Sequence, residues 1–198
     1  MDNVKSFTPF KREDHVYHNE AFAELCKDAI RAFNGTPVCE LPPPRFAGSG
    51  VYALYCTARK GIYERYGNKV NRMGYNVPIY VGKAVPKGDA DGEAMSFDML
   101  SCQEQLEFWH KKIKAAVGLS VGDFRCRVSS MDGLDVEYIG EVHRMMFETY
   151  HPVWNRFFAT CVCSDEITLW WRQIHAVRFR SKADTYSQKL LRHFVEVA

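Results

Sequence analysis

Apolar residues recur at two spacings along the chain, and these spacings predict a mixture of helices and strands. Apolar positions three or four residues apart line one face of a helix. The predicted helices span residues 19–35, 98–117, 135–150 and 182–196. Short runs rich in β-branched and aromatic residues predict strands where Gly, Pro or a turn bounds them. The predicted strands span residues 50–55, 78–83, 123–129 and 157–163. Their order favours a small antiparallel sheet flanked by helices, an α+β fold.

The length and composition predict a single domain. A chain of 198 residues with 46% hydrophobic and 25% charged residues can bury a full core. We expect the core of the domain at about residues 46–163. A helical extension over residues 1–45 precedes this core, and a further extension over residues 164–198 follows it.

Charge and cysteine usage narrow the protein class only slightly. No apolar run approaches ~18 residues and the N-terminus lacks an apolar leader, so we expect neither a membrane span nor a secretory signal. Seven scattered cysteines, an odd number, indicate reduced thiols and a cytoplasmic protein. The pair Cys161 and Cys163 is typical of alternating strand residues, because no second pair with zinc-ligand spacing follows it. A net charge of +2 neither requires nor excludes nucleic acid.

Two predicted strands carry a tyrosine close to a glycine. Tyr52 ends the sequence Gly-Val-Tyr, and Tyr80 begins the sequence Tyr-Val-Gly. The literal Gly-Ile-Tyr at residues 61–63 runs into a charged stretch, and the literal Tyr-Ile-Gly at residues 138–140 lies in a helical pattern. Only the strand copies have a context that places both tyrosines side by side. We therefore expect Tyr52 and Tyr80 on adjacent strands, with their phenols at one spot.

With these strands, the chain resembles the GIY-YIG nuclease superfamily. It is most similar to the branch of dimeric type II restriction endonucleases that cut CCGCGG sites. The matching blocks are residues 33–44, 50–55, 75–86 and 150–155. The resemblance implies a GIY-YIG-type sheet, DNA as substrate and partner, a homodimer, and phosphodiester hydrolysis with a divalent metal ion, Mg²⁺ or Mn²⁺.

The resemblance also implies roles for individual side chains. Tyr52 would help to activate the attacking water, while Tyr80 and His110 would position and neutralise the phosphate. Asn155 falls on a matching catalytic position. The position of the metal-binding glutamate falls on His143, which is therefore the candidate metal ligand. Such chemistry needs a base, a cation near the developing charge and a carboxylate for the metal.

Two positions depart from the family pattern. One helical turn before His110 stands Leu106, where the resemblance implies an arginine. His143 replaces the glutamate, and imidazole is a poor ligand for Mg²⁺. Candidate substrate-binding residues are Lys83, Arg178 and Arg180, although the loop after Lys83 is acidic.

These departures leave three hypotheses open. The first is a divergent endonuclease that hydrolyses DNA. The second is an enzyme that uses the Tyr/His pocket on a small molecule. The third is a catalytically silent relative that binds DNA or another partner. In each hypothesis these residues also have a simpler interpretation. His110 and His143 are equally compatible with hydrogen-bonded core residues, and Asn155 is compatible with a residue that satisfies backbone groups in a turn.

Overall fold

A four-stranded antiparallel sheet forms the centre of the computed structural model, which describes residues 11, 19–60, 63–67, 71, 74–85, 97–116 and 118–158. The strands are β1 (Val38–Glu40), β2 (Gly50–Cys56), β3 (Tyr80–Ala84) and β4 (Phe124–Ser130). Their order across the sheet is β1-β4-β2-β3. The helices are α1 (Glu20–Gly35), α2 (Cys102–Ala115), α3 (Val136–Tyr150) and α4 (Val153–Phe158). The predicted α+β fold class is confirmed.

The helices begin where the sequence supplies capping groups. The side chain of Asn19, which directly precedes α1, accepts a hydrogen bond from the Phe22 amide at 3.1 Å. Ser101 and Glu104 form a reciprocal capping box at the start of α2. This cap explains why α2 begins at Cys102, whereas apolar spacing alone predicted a start at residue 98. A short 3₁₀ turn at Phe97–Met99 precedes the helix.

The sheet is buried on both faces. All seven residues of β2 are buried, so this central strand lies between two helical layers. One face packs on α2 through Tyr52, Leu54, Cys56, Leu106, Trp109 and Ile113. The opposite face packs on α1 and α3 through Val51, Ala53, Tyr55, Phe33, Ile139, Val142 and Met146. Successive side chains of β2 therefore point to opposite faces of the sheet, and Tyr52 lies on the face that α2 covers.

Some predicted elements differ from the structure. Residues 157–158 belong to α4 rather than to the predicted strand 157–163. Pro152 directly precedes this helix, where a missing N–H costs no intrahelical hydrogen bond. The three-residue β1 was missed because so short a run shows no alternation. Residues 159–163, the predicted helix 182–196 and the C-terminal extension lie outside the described residues, and the domain limits stay a prediction.

Candidate active site

Tyr52 and Tyr80 lie on neighbouring strands and on the same face of the sheet. In the β2–β3 register Tyr52 stands opposite Gly82, and Tyr80 stands opposite Leu54. The two rings are 5.9 Å apart between centroids. A Cβ at Gly82 would lie only 2.4 Å from Tyr52 Cζ, so the ring of Tyr52 requires a glycine there. The expected adjacency of the two motif tyrosines is confirmed.

The hydroxyl of Tyr52 is held inside the protein by two side chains of α2. It donates a hydrogen bond to Gln105 Oε1 at 2.7 Å and accepts one from Trp109 Nε1 at 3.3 Å. The amide nitrogen of Gln105 donates in turn to the backbone carbonyls of Lys83 at 2.7 Å and Leu100 at 2.9 Å. Tyr52 and Gln105 are both 0% exposed. This group of side chains is a closed, hydrogen-bonded network.

Burial strongly favours the neutral form of both phenols. It raises the pKa of Tyr52 well above the usual value of 10, and the neighbouring Tyr80 raises it further. Burial also raises the pKa of Tyr80. Tyr52 therefore keeps its proton at neutral pH and donates a hydrogen bond to Gln105. A water molecule activated by Tyr52 would need both an ionised phenol and access to a residue that the structure buries completely.

The α2 residues that contact Tyr52 differ from those that the sequence suggested. His110 is partly exposed and follows Trp109 in the chain, while Leu106 is buried among apolar side chains. Gln105 and Trp109 are four residues apart, the same spacing as Leu106 and His110, but they lie one residue earlier. Helical spacing alone is compatible with Gln105 and Trp109 as the contacts of Tyr52. The sequence-based prediction placed the site one residue later because His110 is a residue type common in catalysis. The catalytic role of His110 stays a prediction.

His143 lies on α3, whose apolar face packs on the opposite side of the sheet from α2. Its Nε2 is 3.4 Å from the backbone oxygen of Val81. Burial is the largest influence on the pKa of His143 and lowers it, Lys83 lowers it further, and the Val81 contact and Asp98 act in the opposite direction. A neutral imidazole at the edge of the sheet follows from this environment.

Asn155 covers the same edge of the sheet. Its Oδ1 accepts from the Val81 amide at 2.8 Å, and its Nδ2 donates to the Val81 carbonyl at 2.6 Å. Because β3 is an edge strand, these two bonds replace the partners that another strand would supply. Asn155 thus satisfies backbone groups, as one interpretation of the sequence predicted.

Lys83 is the one candidate substrate-binding residue within the described part of the chain. Its Nζ lies 3.5 Å from Asp98 Oδ2, in a pair whose side chains are 28% and 45% exposed. An ion pair this accessible to solvent contributes little to stability. Arg178 and Arg180 lie outside the described residues.

The described residues do not fit the divalent metal ion that the resemblance implies. Among them, no group of three or more His, Cys, Asp or Glu side chains is placed to hold a metal ion. The charged groups that act on His143 are Lys83 and Asp98, and Asp98 is already paired with Lys83. Mg²⁺ requires oxygen ligands, carboxylates in particular.

None of the described helices combines the length and the apolar character that a membrane span requires.

Comparison with known proteins agrees with the motif strands and the sheet. A family model described as the Eco29kI GIY-YIG domain matches residues 44–161, which is more than half of the chain. The match includes β2, β3, α2, β4, α3 and α4. No curated protein matches the chain significantly. The chain therefore belongs to the Eco29kI GIY-YIG domain family.

Proposed function

We propose that this GIY-YIG domain binds DNA and does not hydrolyse it by a Mg²⁺-dependent route at an appreciable rate. The observation that supports the proposal is the network around Tyr52. The phenol is neutral, fully buried and hydrogen-bonded to both Gln105 and Trp109.

Among the described residues, the side chains bonded to Tyr52 carry none of the charges that phosphodiester hydrolysis needs. A pentavalent phosphorus centre carries negative charge, which a positive side chain or a metal ion must stabilise. Gln105 is uncharged and uses its amide hydrogens on two backbone carbonyls. Trp109 offers a neutral N–H that points at Tyr52. A DNA phosphate would have to displace buried, satisfied partners and would gain no charge in return.

The exposed lysines of α2 provide a surface for the DNA backbone. Lys111 and Lys114 are exposed and form no ion pair with a described carboxylate. Basic residues on the other long helices are paired: Lys27 with Glu24, and Arg31 with Asp28. Lys114 lies in the last turn of α2, where a positive charge suits the negative end of the helix dipole, and this is its simpler role. Unpaired lysines contact phosphates without reading the base sequence.

The alternative of a small-molecule enzyme needs an open pocket beside the motif tyrosines. Tyr52 is 0% exposed and Tyr80 is 7% exposed. The two rings pack with Trp109, whose ring centroid is 4.7 Å from that of Tyr80. This packing favours the DNA-binding proposal over the small-molecule alternative.

Fluorescence anisotropy with short duplex DNA tests the proposal. One duplex carries a CCGCGG site and the other carries the same bases in shuffled order. We expect binding that weakens with salt. Replacing both Lys111 and Lys114 by alanine should reduce the slope of log K against log salt by about 1.8, or about 0.9 for each lost phosphate contact.

The double variant Lys27→Ala and Arg31→Ala is the matched control, because it removes the same charge from exposed positions that are already paired. Equal effects of the two double variants would contradict an α2 surface. Tighter binding of the CCGCGG duplex would show the recognition that the resemblance implies. Light scattering of the free and DNA-bound protein tests the implied homodimer.

The cysteines of the described residues are free thiols, which favours a reducing compartment such as the cytoplasm. They are Cys26, Cys39, Cys56, Cys102 and Cys126.

A further inference from the structure

Two cysteines face each other across the β1–β4 pair. Cys39 on β1 stands directly opposite Cys126 on β4 in the antiparallel register. Directly opposed residues of an antiparallel pair have Cα atoms about 4.5–5.5 Å apart and side chains on the same face. A disulfide needs a Cα separation of about 4.4–6.8 Å, so the backbone already satisfies its main requirement.

The two thiols differ in their access to solvent. Cys39 is partly exposed on an edge strand of three residues, whereas Cys126 is 0% exposed. The Sγ of Cys126 lies 3.3 Å from the Glu40 carbonyl, next to Cys39 in the chain. Burial raises the pKa of Cys126 to about 12, and the neighbouring Cys39 thiol contributes in the same direction. One thiol can therefore meet an oxidant, and the other lies sheltered behind it.

The remaining described cysteines lack this arrangement. Cys56 on β2 stands opposite Phe124, and Cys26 and Cys102 lie on helices. Within the described ranges, Cys39 and Cys126 form the one cross-strand cysteine pair. Simple core packing would explain Cys126, but it does not require a second cysteine at the opposed, partly exposed position.

We infer that Cys39 and Cys126 form a reversible disulfide that links β1 to β4 when the protein meets a small disulfide oxidant such as oxidised glutathione. The Cys39 thiolate attacks the glutathione disulfide, whose S–S bond breaks and releases one glutathione. The Cys126 sulfur then attacks the mixed disulfide at Cys39 and releases the second glutathione. Two protein thiols are oxidised, one glutathione disulfide is reduced, and the two thiol protons go to the departing glutathiones.

The bond would attach the N-terminal segment to the sheet. β1 is a short edge strand, and its partner is separated from it by most of the motif region. A disulfide that closes so long a loop restricts the unfolded chain strongly. We expect the oxidised full chain to unfold at a temperature higher by about 4–15 °C, a shift that a thiol reductant reverses.

The experiment is oxidation of the full chain with glutathione disulfide, alkylation of the remaining thiols, and mass spectrometry of the digested protein. A peptide pair joined through Cys39 and Cys126 is the expected product. Cys39→Ala should abolish both this product and the thermal shift. Cys26→Ala removes a buried cysteine of α1 and is the matched control that should keep both.

Two outcomes would overturn the inference. One is a Cys39 that accumulates only as the glutathione adduct or pairs with a different cysteine. The other is a thermal shift that persists in Cys39→Ala. Since Cys39 is a partly exposed edge residue, its alanine variant should fold even where Cys126→Ala does not. The test does not depend on DNA binding and can fail independently of the proposed function.

Discussion

Replacing Tyr52 by phenylalanine removes one hydroxyl and leaves the ring in place. In the folded protein this hydroxyl is the donor to Gln105 Oε1 and the acceptor from Trp109 Nε1. All three side chains are 0% exposed, so water does not replace the lost group. The amide oxygen of Gln105 would lose its hydroxyl donor in a dry environment, where an unsatisfied polar group is costly.

The size of the effect follows from these two bonds. Leaving a buried acceptor unsatisfied costs about 1–3 kcal/mol, and the lost bond of Trp109 adds about 1 kcal/mol. We therefore expect the free energy of unfolding to fall by about 2–4 kcal/mol. For a chain of 198 residues, this corresponds to a melting temperature lower by about 4–16 °C.

Urea unfolding followed by both circular dichroism and tryptophan fluorescence measures this loss. Tyr138→Phe is the matched control, because the Tyr138 hydroxyl donates to the Leu25 carbonyl on the surface, where water can take its place. The control should lose less than about 0.5 kcal/mol. If Tyr52→Phe were as stable as the control, the closed network would be refuted. The result would indicate that the Tyr52 hydroxyl is open to solvent.

Further predictions concern the edge of the sheet and the buried charge on β4. Asn155→Ala removes both bonds to Val81, so we expect a loss of about 2–3 kcal/mol in urea unfolding and faster hydrogen exchange of the Val81 amide; unchanged exchange would contradict the edge role. Because the pKa of His143 is lowered in the folded state, the unfolded chain binds the proton more readily and stability should fall as the pH drops below about 6.5. His143→Gln should flatten this dependence, and an equally steep profile would assign it to other groups. Arg127 is 7% exposed, its Nε has no hydrogen-bond partner among the described residues, and its guanidinium lies 5.8 Å from the Phe33 ring centroid and 5.5 Å from that of Tyr55. Arg127→Met removes a costly buried charge together with these two ring contacts, so we expect thermal stability within about 1–2 kcal/mol of that of the unchanged protein. A loss above about 3 kcal/mol would show that more than these two ring contacts stabilises the charge.

The sequence located the motif strands because their signal is local. Tyr52 and Tyr80 each lie in a short run bounded by Gly or Pro, and such runs determine strand identity without any tertiary information. Their adjacency then follows from the antiparallel β2–β3 pair. The helix starts at Asn19 and Asp135 were also visible, because residues of these types are common at helix N-caps. Asn19 forms the capping hydrogen bond, whereas the side chain of Asp135 forms none.

The α2 side chains were harder to assign because a one-residue difference rotates the contacting face of a helix by about 100°. Leu106 and His110 share one spacing with Gln105 and Trp109, and only packing against Tyr52 distinguishes the two pairs. The sequence also could not place His143 relative to Tyr52. The apolar face of α3 packs on the sheet, but which side of the sheet it covers depends on tertiary packing that a local pattern does not encode.

A cleavage assay tests the central claim most directly, namely that the Tyr52 network does not support metal-dependent hydrolysis. Supercoiled plasmid and the CCGCGG duplex are incubated with excess protein and either Mg²⁺ or Mn²⁺, under salt conditions at which anisotropy shows full binding. Loss of a single electrostatic contact costs about 10²–10³ in rate. Within the described residues, the side chains bonded to Tyr52 are uncharged and no group of three or more His, Cys, Asp or Glu side chains is placed to hold a metal ion. We predict bound DNA that stays intact. Cutting that requires the metal ion and disappears in Tyr52→Phe would contradict the account.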